Sequence, residues 1–223
     1  MQGPPATLTV PLFPLSTALF PRMPLPLHIF EERYKALIKD LGRWDNRFCV
    51  ALIREGTEVG DHADPYLVGC LAEIVNLRPL ADGKYNLVAL GVERVRILSI
   101  DSASKPYLVG EVELWPDEGS QADAPLVARA SRLFMEYAGY LMDLSGDRLG
   151  EFTLPDEPDT LSYVLGTALQ IASQERQRLL ELPDCAQRLQ AEVGIMQAEV
   201  PVLHALVKSP RPPVIGDGKF SAN

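Results

Sequence analysis

The order of two hydrophobic patterns along the chain constrains its fold more than any other feature. Residues 47–115 carry short runs rich in valine, isoleucine and leucine, whereas the residues beyond Trp115-Pro116 and the polar break DEGSQAD carry apolar side chains at helical spacing. Strands and helices that follow one another in blocks are typical of α+β proteins. The sequence therefore predicts an α+β fold, with a β-rich lobe first, a helical bundle second and no internal repeat.

Proline dominates the N-terminal segment. Seven of the 19 prolines fall within the first 26 residues. Because proline fixes φ and removes a backbone donor, this segment can form only short edge strands and turns. One helix follows over residues 31–41, in which Tyr34, Leu37, Ile38 and Leu41 share a face and Gly42 supplies the stop.

Five strand-like runs come next, bounded by clusters of glycine, aspartate, asparagine and proline. They are RFCVALIR (47–54), LVGCLAEIV (67–75), KYNLVAL (84–90), ERVRILSI (93–100) and YLVGEVELW (107–115). Asp82-Gly83, between two of the runs, indicates a tight hairpin turn. Short strands at this spacing, with the N-terminal edge pieces, predict a small barrel or a pair of packed sheets.

Four helices are predicted in the second half. The first carries an apolar stripe over residues 126–141, Asp159 is expected to cap the second, and the third ends before Pro183. Asp184 and Gln187 resemble a capping box for the fourth helix, which Pro201 is expected to kink. We expect a disordered start over 1–7, a barrel-like lobe over 8–116, a helical bundle over 117–208 and a disordered tail over 209–223.

Charge and cysteine content narrow the classes of function. With 21 basic and 30 acidic residues among 223, the net charge is −9, which gives no global attraction to nucleic acid or anionic lipid. Cys49, Cys70 and Cys185 form no CxxC pair, and every apolar run is shorter than the ~18 residues of a membrane span. Residues 1–7 lack the features of a signal peptide. These observations predict a cytoplasmic protein, exclude a membrane as partner and disfavour nucleic acid.

No sequence motif for catalysis or cofactor binding is present. A Walker A loop needs GxxxxGK[ST], and neither Gly83-Lys84 nor Gly218-Lys219 has the required earlier glycine or a place between a strand and a helix. The GxSxG elbow of serine hydrolases is also absent. We therefore predict that the protein is not an enzyme and has no cofactor and no metal site.

The histidines fit structural roles better than chemical ones. Asp61, His62 and Asp64 offer oxygen and nitrogen ligands, but a solvated loop between strands is the preferred interpretation. His28 lies among apolar residues and is predicted to be partly buried, and His204 is predicted to be exposed.

Four basic residues of the barrel region give a local exception to the acidic charge: Arg78, Lys84, Arg94 and Arg96. A single-stranded nucleic-acid site would also need interleaved aromatic residues, and only Tyr85 lies near. A solvated or ion-paired strand face is the preferred interpretation.

An ordered series of motifs is more specific than any of these features. The strongest are VPLFPL (10–15), LFP (19–21), PLPLHIFE (24–31), RY (33–34), VGCLAEIV (68–75), DGKYN (82–86), GVER (91–94), RI (96–97), PY (106–107) and EV (111–112). Looser matches are RLLEL (178–182) and RL (188–189). Together these motifs resemble the N-terminal domain of Lon proteases over about residues 8–207.

The resemblance implies a β-strand pseudo-barrel related to the PUA-like fold, followed by a helical bundle. In full Lon proteases this domain helps to engage substrate proteins and supports assembly, while the ATP-driven motor and the serine–lysine protease lie further along the chain. The resemblance therefore implies a free-standing substrate-binding domain that holds unfolded or partner polypeptides without chemistry, as an adaptor for a protease or a chaperone. RNA binding by a PUA-like barrel and an undetected hydrolase are the alternatives.

Two residues are candidates for contact with such a partner. In the turn at 20–24, Arg22 and Met23 are neither ring-locked nor part of the core alternation. Methionine adapts to varied apolar surfaces, and arginine supplies hydrogen bonds and stacking. We predict that both contact polypeptide; the alternative is that Met23 folds back onto Leu25. We also predict an ion pair between Arg33 and Glu93 that fixes the first helix on the barrel.

Overall fold

The computed structural model describes residues 7–58, 63–117, 122–146 and 152–209. Its strands are β1 Thr7–Leu15, β2 Pro24–Ile29, β3 Arg47–Gly56, β4 Ala63–Pro65, β5 Val68–Pro79, β6 Tyr85–Asp101 and β7 Val109–Leu114. Its α-helices are α1 Glu32–Asp40, α2 Ala124–Ser145, α3 Pro158–Ala168, α4 Ser173–Leu180 and α5 Cys185–Lys208. Strands precede helices, apart from α1, as the α+β prediction requires. Most of the segments expected to be disordered, 1–6 and 210–223, lie outside the described residues.

Five of the strands close into a ring. Hydrogen-bonded neighbours follow the order β1, β7, β6, β5, β3, and β1 also pairs in parallel with β3, so that Leu12 lies opposite Cys49 and Leu15 opposite Leu52. Strand β2 joins the ring along the first half of β6, and β4 joins it at the end of β3. The parallel pairing of β1 with β3 distinguishes a barrel from a pair of packed sheets.

Strand β6 is a single strand of 17 residues where the sequence predicts two shorter runs. Its first half pairs with β2, its second half with β7, and both halves pair with β5. The register with β5 shifts between Leu71 and Ala72, where the partner residues on β6 are Glu93 and Gly91. Such a bulge lets a strand bend without ending, which explains why Gly91 does not terminate β6.

Successive residues of the barrel strands face two different cores, as the period of two in a strand requires. The ring interior holds Val10, Leu12, Cys49, Ala51, Leu71, Val95, Ile97 and Val112. The opposite face, which includes Phe13, Phe48 and Cys70, packs against Tyr34, Leu37 and Ile38 of α1. Helix α1 therefore covers the outside of the barrel.

The helices α2 to α5 share a third core that also takes in part of the N-terminal segment. Its buried members include Phe134, Tyr137, Leu161, Leu165, Leu189 and Met196. Ala18 and Phe20, in the connection between β1 and β2, are buried in the same core. This connection thus ties the barrel to the helices.

Local sequence signals set the ends of several elements. Asp82 and Gly83 both have positive φ (76° and 71°), which confirms the predicted hairpin turn. The Asp184 carboxylate accepts hydrogen bonds from the Gln187 N–H at 2.8 Å and from its side-chain amide at 2.9 Å, as a cap of α5 should.

The predicted cap of α3 is wrong. Asp159 lies in the first turn, and the N-cap position belongs to Glu157. Pro158 explains the difference, because proline is preorganised for the first helical position and has no N–H to satisfy there.

Candidate functional site

The predicted contact residues Arg22 and Met23 lie where the barrel meets the helices. Arg22 has a left-handed backbone (φ 65°), is exposed, and donates a hydrogen bond from its guanidinium to the Thr160 hydroxyl of α3. Met23 is half-buried and packs against both the α1-covered core and the helical core. The two residues therefore occupy one turn, with Arg22 facing outward and Met23 lying between the lobes.

Gly91 of β6 fixes the position of this turn. The Arg22 N–H donates to the Gly91 carbonyl at 2.8 Å, and the Gly91 N–H donates to the Met23 carbonyl at 3.0 Å. A Cβ at Gly91 would stand 2.2 Å from the Phe20 carbonyl oxygen, so only glycine permits the approach.

A pocket of about 250 Å³ opens at the other end of β2, between β1, β2 and α1. It is lined by Phe13, Leu15, Pro26, Leu27, His28, Phe30, Glu31, Tyr34 and Glu58. Phe13 and Tyr34 stack with their ring centroids 4.0 Å apart. Phe30 leaves 48% of its surface exposed. The aromatic and proline side chains make this pocket suited to apolar groups. We call it the α1 pocket.

Tyr34, one of the residues that line the α1 pocket, has a buried hydroxyl group. Tyr34 is only 5% exposed, and its hydroxyl oxygen has no hydrogen-bond partner among the described residues. Burial raises the pKa of Tyr34 to about 12, so the hydroxyl keeps its proton at neutral pH.

The polar rim of the α1 pocket is held by internal contacts. Arg33 donates to the Glu31 carboxylate at 3.0 Å and to the Glu58 backbone carbonyl at 2.8 Å, while the Ser16 hydroxyl donates to the Glu58 carboxylate at 2.6 Å. The predicted ion pair of Arg33 with Glu93 is wrong, since Glu93 instead accepts the backbone N–H of Arg94 at 3.0 Å. Arg33 is therefore held by Glu31 and by Glu58, which lies in the loop after β3, and not by a residue of β6.

Strand β2 runs between the Arg22–Met23 turn and the α1 pocket, and among the described strands it pairs only with β6. Its two prolines, Pro24 and Pro26, are exposed. Because proline has no N–H to donate, a polypeptide cannot form a regular ladder along the free edge of this strand. A partner at β2 must bind mainly through side chains.

The barrel and the helices are joined by a fully buried arginine. Arg94 of β6 has no exposed surface. Its guanidinium donates to the backbone carbonyls of Leu180, Leu182 and Pro183 and lies 2.5 Å from the Asp117 carboxylate. Of the two predicted alternatives, a solvated or an ion-paired strand face, the solvated one is wrong at Arg94, because the turn between α4 and α5 covers it. The ion-paired one fits, because Arg94 pairs with Asp117.

A second buried arginine shares the same carboxylate. Arg188 of α5 also has no exposed surface and contacts Asp117 at 2.5 Å, while its Nε donates to the Ser162 hydroxyl at 2.9 Å. Its guanidinium lies over the Tyr163 ring at 4.4 Å from the centroid. We call Arg94, Asp117 and Arg188 the junction cluster.

Of the other three basic residues in the predicted group, two make local contacts. Arg96 stacks on Trp115 at 4.1 Å from the ring centroid, and Lys84 pairs with Asp82 at 2.7 Å. Arg78 is exposed on β5. With Arg94 buried, the residues on which the RNA-binding alternative depended are not presented together.

The candidate metal and acid–base residues are also dispersed. Of the predicted loop cluster, Asp61 and His62 lie outside the described residues, and Asp64 pairs with Arg54. His28 is exposed, contrary to the prediction, with its Nδ1 2.7 Å from the Asn86 amide oxygen. His204 is half-buried beside the Tyr140 ring, also contrary to prediction.

One grouping of metal-ligand types occurs among the described residues, namely Asp117, Asp159 and Cys185. Both Asp117 oxygens are already engaged by the two buried arginines, and burial raises the pKa of Cys185. These contacts give the group a structural role.

No helix in the described ranges is long and apolar enough to cross a membrane.

Residues 9–198 match the family described as the ATP-dependent protease La (LON) substrate-binding domain. The chain belongs to this family. The Lon protease 2 of Syntrophobacter fumaroxidans is 31% identical over 172 residues, which cover 74% of this chain and 21% of that protein. The Lon protease of Xanthomonas oryzae pv. oryzae is 27% identical over 208 residues, 90% of this chain and 24% of that protein. The chain therefore spans about a quarter of the length of these LON-domain relatives.

Two solved structures share the fold of this LON substrate-binding domain. The Lon N-terminal domain protein from Xanthomonas campestris superposes with a TM-score of 0.64 at 25% identity, over 84% of this chain and 98% of that one. The N-terminal domain of the Mycobacterium avium complex Lon protease gives a TM-score of 0.62 at 22% identity, over 85% of this chain and 98% of that one. The strand-rich sheet with attached helices is thus the Lon N-terminal domain fold.

Sequence reasoning on this LON domain missed the α1 pocket and the junction cluster. A pocket between three elements leaves no local pattern in the sequence, so nothing there distinguishes its aromatic residues Phe13, Phe30 and Tyr34. The buried arginine of α5 did leave a signal. Arg188 and Glu192 lie within the apolar repeat of Cys185, Leu189 and Val193, where charged residues are unexpected.

Proposed function

We propose that this protein is a non-catalytic cytoplasmic module that binds unfolded or partner polypeptides and acts as an adaptor for a protease or a chaperone. The observation that carries the proposal is the match of residues 9–198 to a substrate-binding domain family. The PUA-like relationship of the barrel belongs to the same proposal. The three cysteines of the protein are buried and form no disulfide among the described residues, as a reducing compartment allows.

The proposed binding surface runs along β2. The Arg22–Met23 turn lies at its start and the α1 pocket at its end, and its six residues span roughly 20 Å. An extended polypeptide can contact both ends at once. Apolar side chains of the polypeptide would enter the α1 pocket.

This surface binds polypeptide and catalyses no reaction. Burial raises the pKa of Cys49 to about 12 and that of Cys70 well above the usual thiol value, so neither thiol supplies a thiolate nucleophile at neutral pH. The polar groups at the α1 pocket rim are engaged with one another. The surface therefore offers apolar contact at the α1 pocket and the exposed guanidinium of Arg22 at the other end of β2.

Changing the exposed aromatic residue of the α1 pocket tests this surface. Phe30→Ser is expected to weaken binding of a permanently unfolded protein, such as reduced and carboxymethylated α-lactalbumin, about tenfold. Fluorescence anisotropy of the labelled polypeptide measures the change. Leu98→Ser is the matched control, because Leu98 is similarly exposed (53% against 48%) but does not line the pocket. Equal losses in both variants would contradict a localised site.

The turn at the other end of β2 has its own test. The double change Arg22→Ser, Met23→Ser is expected to reduce capture of the same unfolded protein about fivefold. The melting temperature is expected to stay within about 5 °C, because Arg22 is exposed and Met23 only half-buried. A larger loss of stability would assign Met23 to the core. Unchanged capture with unchanged stability would place the binding surface elsewhere.

A further inference from the structure

A buried carboxyl group lies beside the junction cluster and takes no part in it. Glu192 of α5 has no exposed surface, and neither of its carboxyl oxygens has a hydrogen-bond partner among the described residues. Burying an unpartnered carboxylate costs several kcal/mol, whereas the protonated acid is far cheaper to bury. The surroundings of Glu192 therefore favour its neutral form.

The position of Glu192 connects it to the β1–β2 connection. A Cβ built on Gly166 of α3 would stand 3.2 Å from Oε1 of Glu192 and 2.8 Å from Cζ of Phe20. The carboxyl group and the Phe20 ring thus both border the space that the missing side chain of Gly166 leaves, which we call the gap at Gly166. Phe20 is 1% exposed and lies two residues before Arg22.

The charged groups around Glu192 come from several elements. Arg188 precedes it by one turn of α5, and one of its terminal nitrogens, Nη1, has no hydrogen-bond partner among the described residues. Tyr163 of α3, Arg94 of β6 and Asp117 after β7 surround Arg188. The two arginines therefore share the single carboxylate of Asp117. The remaining positive charge of the junction cluster favours a second negative charge nearby, and this attraction opposes the cost of burying that charge.

We propose that Glu192 is a buried proton-binding group that couples the packing of Phe20 between the barrel and the helices to pH. With its proton, the carboxyl group packs against the ring as a neutral side chain. Without it, the carboxylate requires water or a rearranged Arg188, and either change opens the gap at Gly166. Opening that gap loosens Phe20 and, with it, the turn that carries Arg22 and Met23.

The direction of the pH effect follows from the protonated ground state. Burial raises the pKa of Glu192 well above its usual value, and the charge of Arg188 and the Gly166 backbone oppose this only in part. Because the pKa of Glu192 is higher in the folded than in the unfolded protein, its contribution to the free energy of unfolding is fully present below the unfolded-state pKa of about 4.3. This contribution is lost as the pH rises through the folded-state pKa. The folded protein should therefore loosen with rising pH.

Hydrogen exchange of wild type and Glu192→Gln at matched pH tests the proposal. Glutamine keeps the size and stays neutral, so the amides of residues 17–20, 22 and 23 are expected to exchange at least about fivefold faster in wild type at about pH 8 and nearly equally at about pH 4. Glu111→Gln, a change at an exposed position of β7, should match wild type at both pH values. If Glu192→Gln does not fold, Glu192→Met serves in its place.

Two other results of the exchange experiment would contradict the proposal. Faster exchange in Glu192→Gln at about pH 8 would show that Glu192 is the ionised partner of Arg188. Equal exchange at both pH values would show that Glu192 does not couple residues 17–24 to pH, and either result would overturn the proposal. The readout involves no polypeptide ligand. Its result is therefore independent of whether the β2 surface binds polypeptide.

Discussion

Replacing Asp117 by asparagine is expected to lower the free energy of unfolding by about 3–5 kcal/mol, the usual cost of removing one partner from a buried ion pair. The Asp117 carboxylate is the charge partner of both Arg94 and Arg188, and neither arginine has exposed surface. Asparagine fills the same volume but leaves two buried positive charges without a counter-charge. Urea denaturation followed by circular dichroism measures the loss.

Asp64→Asn is the matched control for this change. Asp64 also pairs with an arginine, Arg54, but both side chains are about half exposed (47% and 54%). Exposed pairs contribute about 0–1 kcal/mol, so this variant is expected to remain close to wild type. Equal effects of the two substitutions would show that water already reaches the junction cluster.

Gly91→Ala is expected to lower the free energy of unfolding about as much as Asp117→Asn does. The cause is a steric clash with the backbone and not the loss of a charge. The new Cβ would stand 2.2 Å from the Phe20 carbonyl oxygen and 3.1 Å from the Cys70 sulfur. Relief requires β6 to move away from the 20–23 segment, which breaks the two hydrogen bonds that join Gly91 to Arg22 and Met23. We expect a loss of at least about 3 kcal/mol or failure to fold, measured by the same denaturation experiment.

Gly139→Ala is expected to raise the free energy of unfolding. Gly139 lies within α2, and a Cβ there meets nothing within 4 Å. Alanine in a helix interior is favoured over glycine by about 0.5–1 kcal/mol, so this variant is expected to be more stable than wild type. A mild effect of Gly91→Ala, comparable in size to that of Gly139→Ala, would contradict the close approach of Phe20 to β6.

Features set by neighbouring residues could be predicted from the sequence. The turn at Asp82-Gly83, the cap at Asp184 and the order of strands and helices depend on local backbone preferences and hydrophobic period. The cap of α3 failed because two local signals competed, and proline at position 158 prevailed over aspartate at position 159.

Features set by distant contacts could not be predicted. Arg94 is indistinguishable in sequence from an exposed strand residue, and only the carbonyls at 180–183 reveal its burial. Within the candidate site, the turn at Arg22 and Met23 was located correctly as a turn. Its contact with Thr160, which lies 138 residues away, needed the tertiary structure.

The position of Arg94 also has a consequence for the order of events during synthesis. The carbonyl of Pro183 that accepts from Arg94 lies 89 residues further along the chain. At typical translation rates of 5–20 residues per second, the ribosome needs roughly 4–18 s to make that stretch. During this interval the strands are available to pair, but the guanidinium has neither its carbonyl acceptors nor the helices that cover it. In the nascent barrel, Arg94 must therefore remain hydrated. The helices must displace this water when they pack against the barrel.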